Sequence, residues 1–121
     1  MDIVSIVLQV LLGLMFLLSA FGKLSGQKAQ VDSFNHLGLP QWFRILTGSM
    51  QLIGAAGMIV GIWYADIAAI AGLWIGVIML GAVISHLRAK DPIKAAIPGI
   101  VLFVLALAVV ILNWSELMAS L

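Results

Sequence analysis

"IAAIAGLWIGVIMLGAVI", Ile67–Ile84, is eighteen residues without a charge, and "SHLRAKDP", Ser85–Pro92, follows at once with a histidine, two cations and an acid. At 1.5 Å per residue an apolar run of that length covers about 27 Å as a helix, close to the ~30 Å hydrocarbon core of a bilayer. No water reaches that core, so the backbone must close its hydrogen bonds within the segment, and a helix does so. The first stretch therefore reads as a membrane-spanning helix and the second as its polar end.

Three further runs have the same character: Ile3–Phe21, Ile45–Tyr64 and Ala95–Trp114. The composition agrees. Of 121 residues, 64% are hydrophobic and only 9% charged, against roughly a quarter charged in a soluble domain. Mean hydropathy is +1.22, and a soluble domain of this size has too little interior to hide so much apolar surface. The expected fold is all-α, a four-transmembrane-helix bundle forming one domain over residues 1–121. The first run has only Asp2 as a charge before Lys23, and its apolar core exceeds the ~7–15 residues of a signal sequence, so it reads as a span. Net charge is +1, which implies no nucleic-acid partner, and the chain has no cysteine, which excludes disulfides, thiol redox centres and thiolate metal sites.

Basic residues give an orientation. Lys23, Lys28 and Arg44 lie between the first and second spans; Arg88, Lys90 and Lys94 lie between the third and fourth. The N-terminus, the turn near Asp66 and the C-terminus carry no Lys or Arg. All six basic side chains thus fall on one face of the membrane, which the positive-inside rule makes cytoplasmic. The expectation is a multi-pass protein of the bacterial plasma membrane with both termini outside. Trp42, Trp63, Tyr64 and Trp114 fall at span ends, as in an aromatic belt.

The first connection, Leu24 to Gln41, is 18 residues long, too long for a plain turn. Lys28, Asp32 and His36 are four apart, and Val31, Phe34 and Leu37 fall on the other side. That spacing predicts a short amphipathic helix lying at the interface. "LGLP", Leu37–Pro40, stops it, with Gly38 beyond its end and Pro40 opening the next helix. A second turn of about two residues, Ala65 and Asp66, makes the second and third spans an antiparallel hairpin. Gly57 and Gly61 on one, and Gly72 and Gly76 on the other, are spaced for close helix packing in lipid; the sequence leaves open whether they face each other or a second copy. Pro98 suits a first turn, and predicts a kink if the fourth helix starts near Lys94.

Several polar residues sit where lipid makes them costly. Gln51 lies about 12 Å into the second span on a face with Thr47, Gly54 and Gly61. It fits an interhelical hydrogen bond worth about 0.6 kcal/mol, or a contact to a ligand such as a quinone carbonyl. Gln9 shares a stripe with Gly13, Phe16, Ala20 and Lys23 and is expected to make a structural hydrogen bond. At the basic end Lys23, His36 and His86 converge with Asp32. His86 lies on the Gly72–Gly76–Met79–Val83 stripe, and imidazole is the side chain that exchanges protons near neutral pH. Arg88, Lys90 and Lys94 read as topology signals. Asp32 is available to join His36 and His86, but no spacing demands a metal, and none is expected. No phosphate loop, nucleophile elbow or zincin motif occurs.

The order of "LLGLMFLLSAFGKLSG", then Phe34 with "LGLP", then a glycine-rich second span, then "SHLRAKD" at the end of the third, resembles the DoxX-like family of small bacterial membrane proteins. The resemblance covers nearly the whole chain. It implies a four-helix membrane bundle and, from the linkage of relatives to quinol oxidation, thiosulfate–quinone chemistry and membrane oxidoreductase complexes, an accessory role in such a system. The family often carries a glutamate where this chain has Gln51; an amide hydrogen-bonds but does not titrate. The function expected is that of a quinone- or lipid-binding accessory subunit without independent catalysis, with Gln51, His86, Lys23 and His36 as ligand-binding residues, quinone as the cofactor it implies, and lipids, a redox protein or a second copy as partners. The alternatives are a small transporter, which a span without a carboxylate and a six-to-zero basic bias both oppose, and a structural or chaperone-like membrane partner built on the glycine faces.

Overall fold

A computed structural model describes residues 3–121; Asp2 lies outside the described residues. The chain forms six helices: α1 Ile3–Ser25, α2 Lys28–His36, α3 Gln41–Val60, α4 Ala65–Arg88, α5 Ile93–Leu112 and α6 Trp114–Ser120. Four of them, α1, α3, α4 and α5, are long and apolar enough to cross a membrane. The all-α, four-span bundle read from the sequence is present, and α2 is the short amphipathic helix between the first two spans. Phe34 is buried on its inner side, while Lys28, Asp32 and His36 are exposed on the other.

The boundaries differ from the apolar runs in an instructive way. Each span extends past its apolar stretch at the basic end, to Ser25 in α1, from Gln41 in α3, to Arg88 in α4 and from Ile93 in α5. Hydropathy marks the lipid-buried part of a helix, whereas the backbone ladder continues until a stop signal ends it. The turn between α3 and α4 runs over residues 61–64 and not over Ala65 and Asp66, which form the first turn of α4. Asp66 accepts the amide of Ile67 at 2.9 Å there. Pro98 lies inside α5, where it removes the bond to the Lys94 carbonyl. The two turns of α6 have no counterpart in the sequence reading, since its seven residues carry too little pattern to read.

Three helix stops share one geometry. Gly26 and Gly38 have φ of +73° and +71°, and Lys90 has +59°. After α1, Gln27 N–H reaches Gly22 O at 3.0 Å; after α2, Leu39 N–H reaches Phe34 O at 2.9 Å; after α4, Asp91 N–H reaches His86 O at 3.1 Å. Each is the six-residue Schellman closure with a left-handed residue at its centre. Glycine takes that conformation freely, and a lysine does so at a cost of about 1 kcal/mol.

The spans pack antiparallel in the ring α1–α3–α4–α5. Leu12, Phe16, Met58, Ile75 and Val109 are fully enclosed at its centre, while Leu18, Val77 and Ile111 stand two-thirds or more exposed on the outside. An outer surface this apolar is stable only against hydrocarbon. Close approach is set by small residues. A Cβ on Gly61 would lie 2.7 Å from the backbone of Ala68, and one on Gly57 2.9 Å from Ala71 Cβ, so these two glycines meet α4. Gly72 meets α5, with Val110 Cγ2 at 2.7 Å and Ala106 O at 2.9 Å. Gly76 has only ordinary contact with Phe103 at 3.8 Å, and lines with Gly72 a shallow apolar groove of about 170 Å³ on the α4–α5 surface.

Candidate functional site

Two polar clusters form at the basic end. The first lies between α1 and α3. Lys23 Nζ donates to Ser19 Oγ at 2.8 Å, and Ser19 Oγ donates to Gln51 Oε1 at 3.0 Å. The i,i+4 spacing of Ser19 and Lys23 puts both on one face of α1, and antiparallel packing brings Gln51 to the same level. Gln51 is 3% exposed and Lys23 9%. Because α3 begins at Gln41, Gln51 stands about 15 Å along its helix, deeper than the apolar run alone indicates. No fully buried side-chain nitrogen or oxygen lacks a partner among the described residues. Gln51 Nε2, which donates to none of them, therefore keeps contact with the bundle surface.

Arg44 secures the neighbouring corner. Its Nη1 donates to the carbonyl of Lys23, one of the carbonyls that a helix end leaves open. Its Nε donates to Gln41 Oε1 at 2.8 Å. Gln41 Nε2 in turn reaches Asn35 Oδ1 at 2.9 Å and Val31 O at 3.2 Å on α2. Phe34 adds a ring contact to Phe43, with centroids 6.4 Å apart. So α2 is tied to α3 along its inner face by amides and aromatic surface together.

The second cluster joins α2 to the end of α4. Asp91 Oδ1 lies 2.5 Å from His36 Nε2, and its Oδ2 lies 2.8 Å from His86 Nδ1. An ionised carboxylate only accepts, so His36 carries its proton on Nε2 and His86 on Nδ1. The hydrogen bond from His86, and next that from His36, holds the Asp91 carboxyl below the usual carboxylate range. Local structure explains the meeting. The Schellman turn centred on Lys90 folds Asp91 back over His86, five residues earlier, and His36 completes the bridge from the last turn of α2.

The four ligand candidates thus divide into two pairs. Lys23 and Gln51 share Ser19; His36 and His86 share Asp91. Asp32, the acid considered for the two histidines, is exposed on α2, and Asp91 occupies the place between them. Ser19, Arg44 and Asp91 were not singled out as site residues. The i,i+4 relation of Ser19 to Lys23 was legible; the approach of Asp91 to His86 was hidden, because a lysine stands where a glycine would announce the turn. Ser85 bonds the Gly81 carbonyl in its own helix at 2.8 Å. Among the described residues, no group of three His, Asp or Glu side chains is arranged to hold a metal.

The opposite end has its own polar set. Asn113 Nδ2 donates to Ser5 Oγ at 2.8 Å, Ser5 Oγ donates to Gln9 Oε1 at 2.8 Å, and Gln9 Nε2 donates to Met58 O at 3.2 Å. Gln9 is 2% exposed and its amide is bonded at both ends. This set ties α1, α3 and the end of α5 together and engages both the carbonyl and the NH2 of the Gln9 amide.

Four apolar spans, a lipid-facing exterior and buried polar relays between helices define an integral membrane protein. A profile of the DoxX-like family matches residues 7–109, and the chain belongs to that family. It is similar to an uncharacterized protein of Bacillus subtilis strain 168, YdgD, with 31% identity over 108 residues, covering 88% of this chain and 95% of the relative. No solved structure matches the chain.

Proposed function

We propose that this protein is an accessory component of a membrane oxidoreductase system, which holds the head of a quinone or of a lipid between α1 and α3. Gln51 carries the reading. It is almost wholly buried, its carbonyl is engaged by Ser19, and its Nε2 has two donors with no acceptor among the described residues. A helix core built only for stability would use both ends of the amide, as Gln9 does. In this reading Lys23 supports the same head group, while His36 and His86, bridged by Asp91, hold α2 across the cytoplasmic end and offer their remaining ring nitrogens there. The chain has no catalysis of its own, a redox protein is its partner, and it lies in the bacterial plasma membrane with both termini outside, as all six basic residues on one side indicate.

The partner-helix alternative loses its main surface, because Gly57, Gly61 and Gly72 are filled by Ala71, Ala68 and Val110 of the same chain. The test of the proposal is direct. The protein is purified with its lipid, the extract is analysed for quinone by mass spectrometry, and a short-chain quinone is titrated into delipidated protein. Binding that falls about tenfold in Gln51→Leu supports the reading, tenfold being the loss of about 1.4 kcal/mol. The absence of quinone or any other head-group ligand from the extract, with no binding on titration, overturns it.

A further inference from the structure

A lysine near the end of a span ordinarily stretches its ammonium toward water. Lys23 turns the other way. Its Nζ bonds Ser19, one helical turn toward the middle of the bundle, and nine-tenths of the residue is buried. The direction of the Cα–Cβ bond, tilted toward the helix N-terminus, favours this course, and Gly48 makes room for it: a Cβ on Gly48 would lie 2.9 Å from Lys23 Cβ.

The ammonium placed there forms no ion pair with any of the described residues. Among the described residues the ion pairs are those of Asp91 with His36 and His86. Asp32 is exposed on α2; Asp66 and Glu116 line an open hollow at the far end of the bundle with Tyr64. Arg44, as deeply buried as Lys23, also bonds only neutral oxygens, those of Lys23 and Gln41. Two buried cations, Lys23 on α1 and Arg44 on α3, thus stand at the same corner with no carboxylate among their partners, in surroundings where an uncompensated charge is costly. Beside them the Lys23 ammonium uses one of its three donors, and Gln51 Nε2 uses neither.

We infer that the Lys23–Ser19–Gln51 corner binds an anionic oxygen group, a phosphate carried by a lipid headgroup or free in solution, with Arg44 at its rim. The inference rests on the head-group reading above and names the charge of the ligand. The anion supplies the counter-charge that none of the described residues brings to Lys23, and the unused N–H groups of Lys23 and Gln51 hydrogen-bond its oxygens. Charge-assisted bonds of this kind are the stronger ones in a water-poor site.

The test uses the full chain in phosphatidylcholine nanodiscs, unsupplemented or with phosphatidylglycerol, inorganic phosphate or a neutral short-chain quinone added, and reads the thermal unfolding midpoint. Phosphatidylglycerol or phosphate should raise the midpoint by roughly 5 °C. A response to phosphate alone assigns the site to a free anion; a response to phosphatidylglycerol alone assigns it to a lipid. Lys23→Met should abolish the rise, and Lys94→Gln, which removes an exposed cation, should keep it. Gln51→Glu supplies the counter-charge from within, so it should raise the midpoint in phosphatidylcholine and remove the response to either anion, a readout independent of whether Lys23→Met folds. An anion response unchanged in Lys23→Met or in Gln51→Glu overturns the inference. A response to the quinone without one to either anion overturns it too and leaves the head-group reading standing; no response to any of the three ends both.

Discussion

Asp91 accepts hydrogen bonds from two histidines on different helices, and its place depends on one unfavourable residue. Lys90 adopts the left-handed conformation that closes α4, and the same turn carries Asp91 over His86. Lys90→Gly relieves the left-handed cost while enlarging the entropy of the unfolded chain. The net expectation is a gain of about 0.5 kcal/mol in chemical or thermal unfolding, with the His86–Asp91 bond preserved. Asp91 also gives a pH signature. Its carboxyl is held below the ordinary value in the folded protein, so its contribution is complete above the unfolded carboxylate pKa of about 3.9. It fades as pH falls through the lower folded value. The stability difference between the native chain and Asp91→Asn should therefore shrink below about pH 4, as measured by midpoints at successive pH values. His86→Ala should lose the same acid dependence in part, because His36 remains.

At the scale of helices, the small residues divide by what they meet. Gly61 faces backbone atoms of Ala68 that have nowhere to move, whereas Gly76 faces the edge of Phe103 at van der Waals distance. Gly61→Ala should cost about 1–3 kcal/mol through forced separation of α3 and α4, and Gly76→Ala should change the unfolding midpoint little. Equal losses at both positions would mean that glycine acts there through the unfolded chain and not through contact. The spacing of four that marks Gly57, Gly61, Gly72 and Gly76 was visible in the sequence. Which helix each one meets was not, because spacing gives a face and only packing gives the face a neighbour. Gly57 and Gly61 turn to α4, while Gly72 turns away from them to α5.

For the whole molecule, the six basic residues gather at one end of the bundle, and the proposed orientation sets that end in the cytoplasm. A reporter fused after Leu121 should read as extracytoplasmic. Neutralising Arg88 and Lys90 together should weaken that orientation while leaving the midpoint in detergent nearly unchanged, since both are exposed and outside the ion pairs of Asp91. The sequence by itself determined the lipid-embedded all-α bundle, the number of spans, the interfacial helix and its stop at Gly38. All of these follow from runs of apolar residues and local conformational preference, which act between neighbours in the chain. The tertiary structure alone decided that Lys23 bends inward to Ser19 and Gln51 and that Asp91, not Asp32, lies between His36 and His86. Beyond the bond of Lys23 to Ser19 one turn away, those contacts join residues 32 and 55 positions apart, or cross a helix stop, and their geometry is fixed by how whole helices pack. No periodicity within one segment encodes it.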